Sequence, residues 1–257
     1  MLQPDYPEIL DLSSSDQLNL KQREFFTKQL SHELQMGRYS TSIGTSLLPG
    51  MYCMPIYAVP KPHSEDLCLI NDHSVSEFSL NSMVNHKQVT GYPMDNLAIF
   101  GDMLLSLRDN NQDLEGKHAI TVWKSDISEA YRLCPMHPVW QIKQVVCVAG
   151  QYYIDCCIVF GSSASPAIFI AFNSLVTWIV KYKQGISFIA TYLDDSSGCA
   201  WSDDQSYYAP YKCHLPTPQA RLLALWDELG IPHKQKKQVH GLTLPVIGIQ
   251  VNTNAMI

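Results

Sequence analysis

The chain has 257 residues, enough for one large domain or two small lobes, and with 46% hydrophobic residues it can bury a sizeable core. Its 18 basic and 24 acidic residues leave a net charge of −6, which argues against a broad basic surface for nucleic acid. The eight cysteines are scattered, Cys156 and Cys157 being adjacent, and no C-x-x-C pair occurs; neither a zinc pattern nor a disulfide framework is indicated, and reduced thiols in an intracellular chain without a signal peptide are expected.

Residues 1–18 are polar and poor in pattern. Asn19 with Gln22 resembles a capping box, and Phe26, Leu30 and Leu34 repeat at helical spacing up to Gly37. After a Ser/Thr/Gly loop over 40–50, residues 51–59 read as a strand stopped by Pro60-Lys61-Pro62. Leu67 to Ile70 reads as a second strand that can pair with it as a hairpin. A turn-rich stretch carries Asp72, Ser74, Leu80 and Asn81. Pro93 suits the first position of a helix that continues through Leu97, Phe100, Leu104 and Leu107 and ends at 110–113. A strand over 119–127 delivers Asp126 at its end. Two strand-like runs, 140–148 and 151–159, flank Ala149-Gly150 as a hairpin.

The Gly/Ser loop from Phe160-Gly161 to Ser165-Pro166 opens a long helix with Phe169, Phe172, Val176 and Ile179 on one face. Residues 164–180 are apolar, but Ser165, Pro166, Asn173, Ser174 and Thr177 interrupt them and the run falls short of about 20 apolar residues, so a buried helix is expected and no membrane span. Strands over 186–191 and 196–201 flank Tyr192-Leu193-Asp194-Asp195. A loop over 202–217 precedes a helix from Thr217-Pro218 to Gly230, followed by Lys234, Lys236 and Lys237 and a last strand over 245–251. With 140–159 set aside as an insertion, the order resembles a β-α-β-β-α-β split sheet with helices over one face.

An acidic hairpin tip is either an ordinary turn, where Asp is favoured, or a holder for a hard cation such as Mg²⁺. Side chains alternate along a strand, so Asp194 and Asp195 aim at one place only if the tip bends. An adjacent strand would bring Asp126 to them. Three carboxylates around two Mg²⁺ ions, roughly 3.5–4 Å apart, make an arrangement for in-line phosphoryl transfer.

From about residue 48 to 251 the chain resembles a reverse transcriptase of retroelement type, most of all those of fungal long-terminal-repeat or DIRS-like elements. The resemblance lies in six motifs in the family's order. Asp126-Ile127-Ser128-Glu129-Ala130-Tyr131-Arg132 resembles the first catalytic motif, Phe160-Gly161 through Ser165-Pro166 the template-and-nucleotide motif, and Tyr192 to Asp195 the Tyr-x-Asp-Asp motif. Leu229-Gly230-Ile231-Pro232 through Lys237 resembles the motif whose lysine lies near the triphosphate. Val246-Ile247-Gly248-Ile249 resembles the primer grip, and Val59 to Pro62 with Asp72, Ser74, Leu80 and Asn81 resemble the fingers.

This likeness implies an α+β fold: a right-hand polymerase palm on a split, ferredoxin-like sheet, with fingers and no thumb. Residues 1–44 would be an N-terminal helical extension, 45–88 and 134–159 the fingers, and 89–133 and 160–257 the palm. Asp126, Asp194, Asp195 and Lys237 would be catalytic. Two Mg²⁺ ions, or Mn²⁺, would be held by Asp126, Ile127, Asp194 and Asp195. Lys61, Cys68, Tyr131, Phe160 and Gly161 would bind the dNTP, and Tyr192, Ser165, Pro166 and Gly248 the primer and an RNA or DNA template.

Each position also has a plainer reading. Tyr131 is either a steric gate beneath the nucleotide sugar or a core aromatic. Gly161 is either a close-approach point for a base pair or a turn residue. Lys237 either neutralises the leaving pyrophosphate or is one of three solvated lysines, and Lys61 either reaches phosphate or is an exposed finger residue. His137, between two prolines, is expected to be structural. Cys68 stands where the family carries a triphosphate-clamping arginine, and His63-Ser64-Glu65-Asp66 is acidic where the family is Gly-rich or basic. The chain stops after the primer grip, so thumb, RNase H and integrase are expected to be missing, as in a fragment or decayed copy. Two functions follow: a polymerase with an intact metal triad and impaired nucleotide binding, or a retroelement remnant that binds nucleic acid or a protein partner without catalysis. A metal-dependent phosphoesterase fits less well, because no histidine ligands lie near the acids.

Overall fold

The computed structural model describes residues 6–13, 18–60, 66–109 and 119–253. A two-residue strand, β1 (Leu10–Asp11), precedes α1 (Leu20–Gln35). The capping box closes α1: the Asn19 side chain accepts from the Gln22 N–H, and the Gln22 side chain accepts from the Asn19 N–H. The strand expected over 51–59 is two strands, β2 (Tyr52–Cys53) and β3 (Ile56–Pro60). Pro55, between them, has no N–H with which to continue a ladder. β3 pairs antiparallel with β4 (Leu67–Asn71), as the hairpin reading required.

α2 (Leu97–Asp109) begins four residues beyond Pro93, because Asn96 is the cap and accepts from the N–H groups of Ala98 and Ile99. Its expected end at 110–113 lies outside the described residues. β5 (Ile120–Asp126) follows. The start of the next expected strand is instead a short helix, α3 (Pro138–Gln141), with Pro138 in its first turn and His137 Nδ1 accepting from the Val139 N–H. The hairpin around Ala149-Gly150 is β6 (Val145–Val148) and β7 (Gln151–Ile154), shorter than the runs suggested.

α4 (Ser165–Tyr182), β8 (Ile189–Tyr192) and β9 (Asp195–Trp201) come next. The expected loop over 202–217 contains a hairpin, β10 (Gln205–Tyr208) with β11 (Cys213–Pro216), whose turn uses a left-handed Lys212. α5 (Thr217–Leu229) stops at Gly230, whose φ of 69° suits glycine. β12 (Val239–Gly241) has no counterpart in the sequence reading. The final strand folds back on itself as β13 (Thr243–Val246) and β14 (Ile249–Asn252). Ile247 and Gly248 both have positive φ, 47° and 77°, as a two-residue type I′ turn demands.

The chain divides into two compact units. One comprises residues 1–91 and 131–168 and holds the sheet β1-β2-β6-β7 and the β3–β4 hairpin. α1 shares its core, since Phe26 packs with Tyr39, Ile56, Ala58, Val146, Val148 and Tyr153. The core of this unit therefore includes α1. Arg132 ties the unit together, reaching Glu33 at 2.8 Å and Asp155 at 2.9 Å, with both carboxylates buried and the guanidinium side chain 11% exposed.

The other unit, residues 92–130 and 169–257, is built on an antiparallel sheet of order β12-β5-β9-β8. The succession β5, α4, β8, β9, α5, β12 is the split β-α-β-β-α-β motif, with its first and third strands central. Helices cover both faces, not one. Phe100, Leu104 and Leu107 of α2 pack on Ile120, Val122, Ala190 and Cys199. α5 meets the other face, where Gln219 Nε2 donates to the Lys124 carbonyl (3.0 Å) and to Ser125 Oγ (3.1 Å).

Candidate active site

Alternation along β5 puts Ile120, Val122, Lys124 and Asp126 on one face, the last two beyond the α2 contact. Register sets Asp126 opposite Asp195 and Lys124 opposite Ser197. The tip between β8 and β9 bends at Leu193, whose φ is 52°, and Asn173 of α4 fixes it by donating to the Leu193 carbonyl at 2.7 Å. The Ile127 N–H donates to the Asp194 carbonyl at 3.1 Å, so the three acids lie where the end of β5 meets the tip. Ile127 also forms a β-bridge with His233, and the Ser128 N–H donates to the Pro232 carbonyl, which binds the segment leading to Lys237 against the end of β5. His233 is held in turn by Asp227 (3.1 Å) and Tyr211 (2.5 Å).

Two lysines occupy the acids. Lys237 Nζ lies 2.6 Å from Asp126 Oδ1, and Lys124 Nζ lies 2.8 Å from Asp195 Oδ2. Asp194 takes no ion pair among the described residues; burial pushes its carboxyl above the usual range, and the charges of Asp126 and Asp195 push the same way. Among the described residues no three Asp, Glu, His or Cys side chains are grouped closely enough to hold one metal ion. Ammonium groups stand on two of the three carboxylates expected to share an ion, Asp126 and Asp195. The donor set itself suits a hard cation: carboxylate oxygens, with the lysine nitrogens marking where positive charge is already accepted. Ile127 could contribute only its carbonyl, its side chain being apolar and buried.

The remaining expected positions are spread over both units. Tyr131 is buried and packs its ring against Phe160, the centroids 4.6 Å apart and the planes tilted by 44°, while Phe160 is 64% exposed. Gly161 has its own reason to be glycine: a Cβ there would collide with the Asn71 carbonyl, so the close approach is to the chain's own backbone. Asn81 braces that loop, donating to the Gly161 carbonyl (2.9 Å) and accepting from the Ser163 N–H (2.8 Å). Cys68 lies on β4 between Leu67 and Leu69, which pack into the core, so its side chain takes the opposite face. Ser165 is fully buried at the start of α4, and Pro166 beside it is half-buried. Tyr192 is exposed at the end of β8, and Gly248 lies in the turn between β13 and β14. Lys61 is outside the described residues.

Solved structures share this architecture. The foamy viral protease-reverse transcriptase in complex with dsDNA superposes with a TM-score of 0.66 at 16% identity, over 99% of this chain and 44% of that one. Native prototype foamy virus protease-reverse transcriptase gives 0.64 at 17% identity over 96% and 28%, and the foamy viral enzyme with an RNA/DNA hybrid gives 0.62 at 16% over 93% and 27%. The fold is that of a reverse transcriptase. The chain spans less than half the length of each of these structures. No protein-family model and no curated protein matches the sequence.

Several residues that shape this reverse-transcriptase fold escaped sequence reasoning. Lys124 carried a usable signal, lying two residues before Asp126 on an alternating strand. Asn173, Gln219 and the Asp227–His233–Tyr211 group carried none, since each acts on backbone or side chains distant in sequence. No helix among the described residues is long and apolar enough to cross a membrane.

Proposed function

We propose that the chain is a retroelement-type reverse transcriptase domain that extends a primer on an RNA or DNA template with dNTPs. The observation that carries this reading is the meeting of Asp126 with Asp194 and Asp195 at one end of a split palm sheet. Asp126, Asp194, Asp195 and the Ile127 carbonyl would hold Mg²⁺ or Mn²⁺, which when bound activates the attacking oxygen and steadies the leaving group. Lys237, already at the carboxylates, would neutralise or protonate the departing pyrophosphate. Tyr131, backed by Phe160, would lie under the nucleotide sugar, and Tyr192, Pro166 and Gly248 would contact primer or template. Gly161 would present backbone to the base pair, and Ser165 would act through the start of α4. Cys68 stands in place of an arginine clamp; its short side chain lacks the planar charged fork that matches phosphate oxygens and would weaken dNTP binding unless Lys61 compensates. Fingers and palm would be the first and second units, and kinship with long-terminal-repeat or DIRS-like elements rests on the motifs alone.

Primer extension with Mg²⁺ or Mn²⁺ tests this. Asp126→Asn or Asp194→Asn should lower extension by at least about a hundred-fold, because a ligand charge is lost at the reacting phosphate. Extension that survives either change would refute the assignment. The two lysine–aspartate pairs favour one alternative, a remnant that binds nucleic acid without catalysis; primer–template binding with no extension under any metal would select it.

A further inference from the structure

Among the described residues, Lys124 is the one charged group at the acidic tip that the polymerase reading leaves without a task. We infer that Lys124 is a positioning residue that holds Asp195 in a cation-paired state and thereby sets how tightly the site takes a divalent ion. The inference rests on the proposed function above.

The two lysines are not equivalent. Lys237 comes from a short 3₁₀ turn, Gln235–Lys237, outside the sheet, and its side chain is 46% exposed. It can leave Asp126 by turning into solvent. Lys124 stands in a central strand, hydrogen-bonded on one side to β9 and on the other to β12, where Val239 is its partner. Its carbonyl accepts from Gln219, and its side chain is 25% exposed. Its backbone is thus held by neighbours, and among the described residues the only carboxylate its side chain pairs with is the diagonal cross-strand neighbour, Asp195, at 2.8 Å.

Charge decides the consequence. Three carboxylates and two ammonium groups leave the tip with a single negative charge, and both oxygens of Asp195 become available to an ion only when Lys124 moves away. A divalent ion arriving there competes with a tethered monovalent one at the same oxygen. Removing the Lys124 charge should therefore strengthen divalent binding, by roughly five-fold once the exposure of the pair is allowed for.

The test is Mn²⁺ binding to the full chain, read from the electron paramagnetic resonance signal of free Mn²⁺ and independent of polymerisation. Lys124→Met and Lys124→Gln should each bind Mn²⁺ about five-fold more tightly than the wild type, while Lys124→Arg should not. The double variant Lys124→Met/Asp195→Asn should lose the gain, because the coupling runs through Asp195. Unchanged or weaker Mn²⁺ binding by both neutral variants, with Asp126→Asn still weakening it, would overturn the role of Lys124 and leave the polymerase reading standing. Mn²⁺ uptake by none of these chains would overturn both.

Discussion

His73 is buried in the first unit, and neither ring nitrogen has a hydrogen-bond partner among the described residues. Burial lowers its pKa to about 4, the Asp72 charge acting weakly the other way. The unfolded chain binds this proton below about 6.5 and the folded chain only below about 4, so the contribution is complete above pH 6.5 and is lost as pH falls towards 4. Denaturant titrations from pH 7 to 4.5 should show a loss of up to about 3 kcal/mol that His73→Leu largely removes. An identical pH profile for the variant would assign the loss to other groups. Tyr131 poses a different question at the same scale. Its burial against Phe160 is compatible with both a gate and a packed ring. In an extending preparation, Tyr131→Val should raise the use of ribonucleotides over dNTPs by about ten-fold, the worth of one steric contact. Unchanged discrimination would leave only the packing role.

One close approach between neighbouring strands constrains the palm sheet. Gly198 of β9 faces Trp123 of β5 in register, and a Cβ at 198 would collide with the indole ring and with the Phe188 carbonyl. Trp123 is fully buried, and protein interiors are close-packed, so its ring cannot withdraw without disturbing its neighbours. Gly198→Ala should therefore cost about 3 kcal/mol by overpacking, read as a fall in the denaturation midpoint followed by tryptophan fluorescence. A midpoint equal to that of the wild type would show that the ring can shift. Because β9 also carries Asp195, the same substitution couples sheet stability to the acidic tip.

Across the whole molecule, acid outnumbers base by six charges. Binding to a primer–template by counter-ion release needs lysines and arginines at phosphates, and several here are committed to the chain itself: Arg132 to Glu33 and Asp155, Lys124 to Asp195, Lys237 to Asp126. The slope of log affinity against log salt for the isolated chain should be shallow, about −2 to −3, from only a few phosphate contacts. A slope of about −6 or steeper, measured by fluorescence anisotropy from 50 to 300 mM salt, would reveal a basic surface that the composition conceals.

The sequence by itself determined what short-range chemistry controls: the Asn19–Gln22 box that opens α1, Gly230 that ends α5, the hairpin of β3 with β4 and the acidic tip. These signals act over a few residues and leave their mark in residue type and spacing. The tip's occupancy was not legible there. Lys237 and Asp126 are 111 residues apart, Arg132 and Glu33 are 99 apart, and Gly161 meets the Asn71 backbone across a similar gap. The small strands β10 to β12 and the fold-back of β13 on β14 were missed for a related reason, since three- and four-residue strands are stabilised by their partners rather than by their own pattern. That lysines meet two of the three expected carboxylate ligands, Asp126 and Asp195, follows from tertiary structure alone, because an ion pair forms where register and packing bring charges within a few ångströms, and register is a property of two strands rather than of one.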